Sequence, residues 1–460
     1  MSLDGVVVHS IAAPVGEFAC SNELLNRIRT LVRWAQRSNM MSILTDCPHR
    51  EKLGWLEQDH LDGPSLRYEF DLARLFAKSM NDMAEAQTDD GLVPNIAPEY
   101  TKFNGVFRAA TEWGSAFIIV PWQQYQFAGD VDLLKKHYAA MKRYFAYVER
   151  NATNDIATAG LGDWNDLGPQ KPGPAQLTPA PVTATAFYYR DAWILSQIAD
   201  ILGHADEAKD FAARAARIRA SYNRHFFSRD KSSYAAGSQC ANALPLVFDI
   251  VEPQNRDAVM VSLVRDVESG GYAVTAGDVG FRFLLEALTL GGHADVVYRL
   301  INQDETPGYA YQLKRGETSL TESWDANHFS SHNHFMLGQI VEWFYKDLVG
   351  IGCDPAGAGF KKIVVHPHPV GDVTWAEATY RSIHGPIAVR WERDGKRFRL
   401  KTMIPANASA IVFLPASDRA TVMEGGAPVE RSPGVTFLRH EGDRAVFHIE
   451  SGSYDFESQW

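Results

Sequence analysis

Residues 182–227 read VTATAFYYRDAWILSQIADILGHADEAKDFAARAARIRASYNRHFF. Apolar spacing is helical over 182–202 and again over 205–227, with only residues 203–204 between them. Two helices joined by so short a link fold back on each other as an antiparallel hairpin. The pattern recurs on both sides. Ser21 is a good N-cap, and Leu24, Leu25, Ile28, Leu31, Val32 and Ala35 form one stripe of a helix over 22–37. Further helices are expected at 54–67, 70–87, 112–128, 131–149, 239–249, 255–268, 278–290, 294–303 and 332–348. Short links (68–69, 129–130, 203–204, 250–254, 291–293) alternate with long ones (38–53, 88–111, 150–181, 228–238, 269–277, 304–331). Strict alternation puts every long loop on one face. Six hairpins closed into a ring make an (α/α)6 barrel whose long loops wall a cleft at one end. An open solenoid of irregular hairpins is the alternative, and no fixed repeat period supports it.

After Gly350-Ile351-Gly352 the pattern changes to short β-type runs at 363–365, 387–391, 398–400, 410–414, 435–438 and 445–449, separated by turn residues. That spacing predicts a C-terminal antiparallel β-sandwich. Before the first helix, Met1-Ser2-Leu3 reads as a leader, and Val6, Val7, Val8 and Ile11 as a strand. The expected division is 1–20 for leader and N-terminal strand, 21–352 for a catalytic barrel, and 353–460 for the β-sandwich.

The 460 residues are 45% apolar and 22% charged, which excludes a disordered chain, a collagen and a disulfide knot. No apolar run is long enough to cross a membrane. Lys+Arg 45 against Asp+Glu 56 gives −11, which argues against nucleic acid as a partner. The four cysteines, Cys20, Cys47, Cys240 and Cys353, are far apart and form neither a zinc motif nor a disulfide framework. The first residues lack the charged and apolar regions of a signal peptide. A periplasmic or secreted address is expected if a signal segment precedes them.

The long loops hold the chemistry. The first runs from Thr45 to His60 and carries Asp46, Arg50, Glu51, Trp55, Glu57, Gln58 and Asp59. Asp46 and Arg50 are suited to pair and fix Glu51, and a Glu beside Trp55 is expected to be partly desolvated, as a general acid requires. His49 and His60 lack metal-ligand spacing and are expected at the surface. Glu112-Trp113-Gly114 opens a helix as a cap and a core ring, or as a pocket wall. Gly162-Asp163-Trp164-Asn165-Asp166 lacks the ligand spacing of a calcium loop; a hydroxyl-binding Asp163 beside a sugar-facing Trp164 fits at least as well. In the last loop Glu322 lies between hydroxyl residues and Trp324, with Glu317, His332 and His334 nearby. Two carboxylates, Glu51 and Glu322, facing each other across a Trp-lined cleft are the arrangement of glycoside hydrolysis.

These segments resemble the α-L-rhamnosidases of glycoside hydrolase family 78. Residues 46–58 are similar to the family signature Asp-Cys-Pro-Gln-Arg-Asp-Glu-Arg-Leu-Gly-Trp-x-Gly-Asp with one residue deleted. Glu112-Trp113-Gly114-Ser115 resembles its Gly-Trp-Gly-Asp, and Gly162-Asp163-Trp164 its Gly-Asp-Trp. Thr321-Glu322-Ser323-Trp324 resembles its Trp-Glu-x-Trp, and Asn333-His334 with Gly338 its Asn-His-x-x-x-Gly. The final Asp of the signature is Gln58 here, and the Asp after Trp-Gly is Ser115. The resemblance implies an inverting enzyme that removes terminal α-L-rhamnose, or a closely related deoxy-sugar, without cofactor or metal. Glu51 is then the general acid and Glu322 the general base. Asp46, Arg50, Gln58, Asp163 and His334 would hold hydroxyls, and Trp55, Trp113 and Trp164 would wall the pocket. It also implies a carbohydrate as partner, and upstream β-domains beyond the two units here. Two rivals remain at this stage. One is another (α/α)6 glycosidase or a polysaccharide lyase, for which the loops offer no basic cluster. The other is a carbohydrate-binding relative without activity, which the presence of both Glu51 and Glu322 disfavours.

Overall fold

The structure is a computed structural model that describes residues 2–459; Met1 and Trp460, the outermost residues of the expected leader and β-sandwich, lie outside them. Six helical hairpins follow one another. The outer helices are Glu23–Ser38, Ala73–Ala86, Val131–Asn151, Ala205–Phe226, Arg256–Ser269 and Ala294–Ile301. The inner helices are Gly63–Glu69, Ala116–Ala128, Ala180–Ile201, Gln239–Val247, Phe281–Leu290 and Ile340–Trp343, the last continued by a wider turn over Phe344–Val349. Each inner helix packs on the next, and the sixth returns to the first. Ser65 closes the ring by donating to the Gly338 carbonyl at 2.8 Å.

Sequence explains which helices lie inside. Glu23–Ser38 is amphipathic and buries one face through Leu25, Ile28, Leu31, Val32, Ala35 and Gln36. Ala116–Gln124 is buried on all sides, as a helix ringed by neighbours must be. Polar side chains there need internal partners. Gln123 and Gln124 supply theirs to the buried Arg67, whose guanidinium they bond at 3.0 and 3.3 Å.

The chain leaves the barrel at Gly350, whose φ of 95° is costly for any residue with a Cβ. A seven-stranded sheet follows in the order Gly16–Cys20, Trp375–Ser382, Gly385–Asp394, Arg397–Ile404, Gly452–Gln459, Met423–Glu424, Ala427–Pro428. A five-stranded sheet runs Val435–Glu441, Arg444–Ile449, Ser409–Pro415, Lys362–Val365, Ile351–Cys353. All neighbours are antiparallel except Lys362–Val365 beside Ser409–Pro415. The sheets meet through rings such as Phe447 and Phe456. Trp391 ties them to the barrel, its indole N–H donating to the Leu348 carbonyl at 2.8 Å.

Two expectations are corrected. Val6, Val7, Val8 and Ile11 form no strand and are exposed; the N-terminal strand is Gly16–Cys20, which pairs with Trp375–Ser382. The last inner helix begins at Ile340 rather than 332. Residues 332–339 stay irregular because side chains take up their backbone: Ser331 Oγ accepts from the Asn333 N–H at 3.1 Å, and His334 Nδ1 from the Met336 N–H at 3.3 Å.

Candidate active site

The long loops gather at the N-terminal ends of the inner helices around a cleft of about 350 Å³. Its lining includes Asp46, Glu51, Trp55, Trp113, Trp164, Glu322 and His334, drawn from four loops widely separated in sequence. Glu51 is half exposed, and its carboxylate accepts from the Trp55 indole N–H at 2.9 Å. Arg50 bridges the cleft. Its Nη2 lies 3.2 Å from Glu51 Oε1 and 2.9 Å from Glu322 Oε2, so those two oxygens are no more than about 6 Å apart. A second bond from the same nitrogen reaches Glu322 Oε1 at 3.0 Å.

Glu322 is the more deeply set carboxylate. Burial pushes its pKa up, but His334, the Ser331 N–H and Arg50 outweigh that and hold it below the ordinary value. The Ser331 N–H donates to Oε2 at 2.7 Å. The loop under it rests on Trp324, fully buried between Phe281 and Tyr309 and donating to the Ala276 carbonyl at 2.8 Å. Trp324→Phe removes that donor and leaves a void. It should cost about 1–3 kcal/mol of stability, read as a lower midpoint in urea unfolding; an unchanged midpoint would show that the indole does not anchor the loop.

Other expected site residues divide sharply. Asp46 is buried at the cleft wall, its Oδ1 accepting from the Leu53 N–H at 2.9 Å and its Oδ2 from the Cys47 thiol, so it shapes the loop that presents Glu51. The Trp113 indole nitrogen is buried without a hydrogen-bond partner among the described residues. Trp164 is half-buried, held edge-on by Phe107. Asp163 does not line the cleft: Oδ2 takes the Gly277 N–H at 2.9 Å and Oδ1 the Gly280 N–H at 2.7 Å, making it a strut between two loops. Burial raises its pKa to about 7 against those two bonds. Gln58 is fully buried and also absent from the lining.

Glu112 is buried under Gly162 and Thr183, accepting the Thr183 hydroxyl at 2.5 Å. Ser115 donates to Asp191 at 2.7 Å, away from the cleft. His60 is not at the surface: it is buried, paired at 2.8 Å with the Glu112 carbonyl, and burial lowers its pKa to about 3. His49 is exposed, and His332 pairs with Glu317 at 2.9 Å. Among the described residues no cluster of three or more His, Cys, Asp or Glu side chains is arranged to hold a metal ion.

Several lining residues were given no role by the sequence. Phe103 and Phe107 come from the second long loop, where no motif marks them. Asn165 sets the Glu322 backbone, its amide donating to the Glu322 carbonyl at 3.4 Å. Glu57 and Asp278 form part of the cleft wall. Asp278 stands at the first position of an expected inner helix, on the face that carries every other site residue, and that placement was the available signal.

Six helical hairpins around a cleft with two facing carboxylates and indole walls define the class of six-hairpin glycosidase domains. The chain belongs to the bacterial alpha-L-rhamnosidase family: the bacterial alpha-L-rhamnosidase 6 hairpin glycosidase domain matches residues 13–348, and the bacterial alpha-L-rhamnosidase C-terminal domain matches residues 350–427. An alpha-L-rhamnosidase of Streptomyces avermitilis is 32% identical over 469 residues, covering 99% of this chain and 43% of the relative. One from Formosa agariphila is 26% identical, covering 99% and 50%. The chain thus spans about half the length of the curated relatives it matches. Among solved structures, the alpha-L-rhamnosidase from Dictyoglumus thermophilum superposes with a TM-score of 0.92 at 30% identity, over 99% of this chain and 52% of that one. The Streptomyces avermitilis enzyme complexed with L-rhamnose gives 0.89 at 31%, over 98% and 42%.

Proposed function

We propose that this chain is the hydrolytic part of an α-L-rhamnosidase, releasing terminal α-L-rhamnose, or a closely related deoxy-sugar, from glycosides or polysaccharides. The observation that carries the reading is the meeting of Glu51 and Glu322 across an indole-walled cleft, bridged by one guanidinium. Glu51 protonates the glycosidic oxygen, and Glu322, held ionised, activates a water. Arg50, Asp46 and His334 position the sugar, and Trp55, Trp113 and Trp164 wall it. A bound sugar covers Glu51 and supplies the desolvation that the open cleft lacks. In this reading the hydrolytic unit is 21–352, completed by 353–460, and upstream domains of the whole protein serve the natural substrate. A periplasmic or secreted address suits such a substrate.

The charge of the cleft favours hydrolysis of a neutral sugar over lyase chemistry. Asp46, Glu51, Glu57, Asp278 and Glu322 face it, against Arg50 and His334. Glu322 is held ionised and already occupies the Arg50 guanidinium, which leaves that cation unfree to neutralise the uronate that a polysaccharide lyase must bind. Inversion is carried by the family resemblance, because the nearest Glu51 and Glu322 oxygens, no more than about 6 Å apart with Arg50 between them, stand short of the inverting spacing. An inverting pair stands about 6.5–9.5 Å apart so that a water can enter, a retaining pair about 5–5.5 Å. The Arg50 nitrogen between the carboxylates is itself a water-sized group, and a water in its place has room beside Glu322.

Aryl glycosides of different sugars test the reading. Release of the phenol from an aryl α-L-rhamnoside, with β-rhamnose as the first product seen by proton NMR, is the expected result. Cleavage of another glycoside with the rhamnoside untouched rejects the sugar; initial α-rhamnose rejects Glu322 as base and makes it a nucleophile.

A further inference from the structure

Glu57 and Asp278 come from opposite halves of the barrel, one before the first inner helix and one before the fifth, and both line the cleft. Glu57 is 4% exposed and Asp278 is 2% exposed. Each holds one carboxyl oxygen, Glu57 Oε2 and Asp278 Oδ1, that is buried without a hydrogen-bond partner among the described residues. A buried carboxyl oxygen left unpaired costs about 1–3 kcal/mol, and a structure that keeps two of them at the wall of a cleft leaves them for a ligand. A ligand with hydroxyls satisfies both without bringing charge. Gln58, one position along, is turned into the protein and leaves the wall to Glu57.

We propose that Glu57 and Asp278 are a specificity-determining pair that binds two hydroxyls of the sugar at the cleft wall, Glu57 donating an O–H and Asp278 accepting. The proposal rests on the reading of this cleft as a sugar site. Glu57 is the donor because its surroundings oppose its ionisation: burial first, then Asp278, with Asp46 and Asp59 adding to it, all raise its pKa well above the ordinary value. Asp278 faces Asp163, Glu322 and Asp166 and has Asn165 beside it; burial raises its pKa too. Asp62 beneath the pair is likewise a buried acid, with Arg282 as its counter-charge. At the cleft mouth the Arg50 guanidinium donates to Glu322, and His334 stands beside that carboxylate.

The pair has a signature that a merely structural role lacks. A protonated Glu57 loses its donor as pH rises, so KM should climb on the alkaline side while kcat follows the other carboxylates. Glu57→Gln keeps an N–H donor at every pH. Steady-state kinetics of wild type, E57Q, E57A and D278A are measured across pH on the best substrate of an aryl-glycoside panel, with calorimetric binding of free L-rhamnose in parallel. Both alanine variants should raise KM about tenfold and leave kcat within about threefold. E57Q, isosteric and expected to fold, should keep KM within about threefold and lose the alkaline climb. The proposal is overturned if the alanine variants leave KM within twofold, if E57Q behaves as E57A, or if E57Q retains the climb. A panel in which another neutral glycoside replaces the rhamnoside overturns the sugar assignment alone, and the pair is then judged on that glycoside. No turnover and no rhamnose binding by wild type overturns both.

Discussion

Glu322→Gln should lower kcat by about 10²–10⁴-fold on every rhamnoside, good leaving group or poor, because water must be activated in each case. Glu51→Gln should lose a comparable factor on a natural alkyl rhamnoside and far less on an aryl rhamnoside whose phenol leaves without protonation. The asymmetry follows from the site. Glu322 accepts from the Ser331 N–H and from Arg50 and is held in its ionised form, as a base must be. Glu51 is the more exposed of the two and bonded to the Trp55 indole, where the proposed role would have the leaving group depart. The measurement is kcat against leaving-group pKa for the two variants. Parallel lines for both would contradict the division of roles, and losses below about tenfold for Glu322→Gln would remove it as the base.

The fold was legible where local patterns decide it. Apolar periodicity and two-residue links are local, and they mark the hairpin 180–226 directly in sequence; ring closure follows from alternating loop lengths. What was illegible depends on partners distant in the chain. Val6, Val7 and Val8 have strand propensity but no strand to pair with, whereas Gly16–Cys20 becomes a strand only because Trp375–Ser382 offers an edge. Propensity alone rarely decides a strand. The site divides in the same way. Glu51, Trp55 and Glu322 belong to loops whose composition already departs from a solvated turn. Asp163 has the same look, yet its oxygens are used by the Gly277 and Gly280 amides. Nothing local distinguishes a carboxylate that holds a loop from one that holds a ligand. Glu57 and Asp278 show the converse: ordinary acids at helix starts become cleft-lining groups only when the ring brings their ends together.

Arg50→Met should reduce kcat/KM by roughly 10- to 150-fold, the range set by about 1.5–3 kcal/mol for a hydrogen bond to a charged group. It should also move the acidic limb of the pH profile upward. In the proposed role Glu322 works ionised, so activity should be lost as pH falls through its pKa. That pKa now lies below the ordinary carboxylate value, with Arg50 among the groups that keep it there. Without the guanidinium it rises, and the base is protonated at a higher pH than in wild type. Arg50→Lys should recover part of the limb position, because a point charge remains. It should recover less of kcat/KM, because an ammonium lacks the planar fork that bonds the Phe329 carbonyl through Nη1 while Nη2 meets Glu51 and Glu322. The arginine has a second consequence for turnover. Its nitrogen lies between the carboxylates, so under the proposed roles substrate and water would have to displace it from Glu322 before that base is free. Burst and steady-state rates separate that step from chemistry. An Arg50→Met profile with its acidic limb unmoved would mean that His334 and the Ser331 amide alone set the ionisation of Glu322.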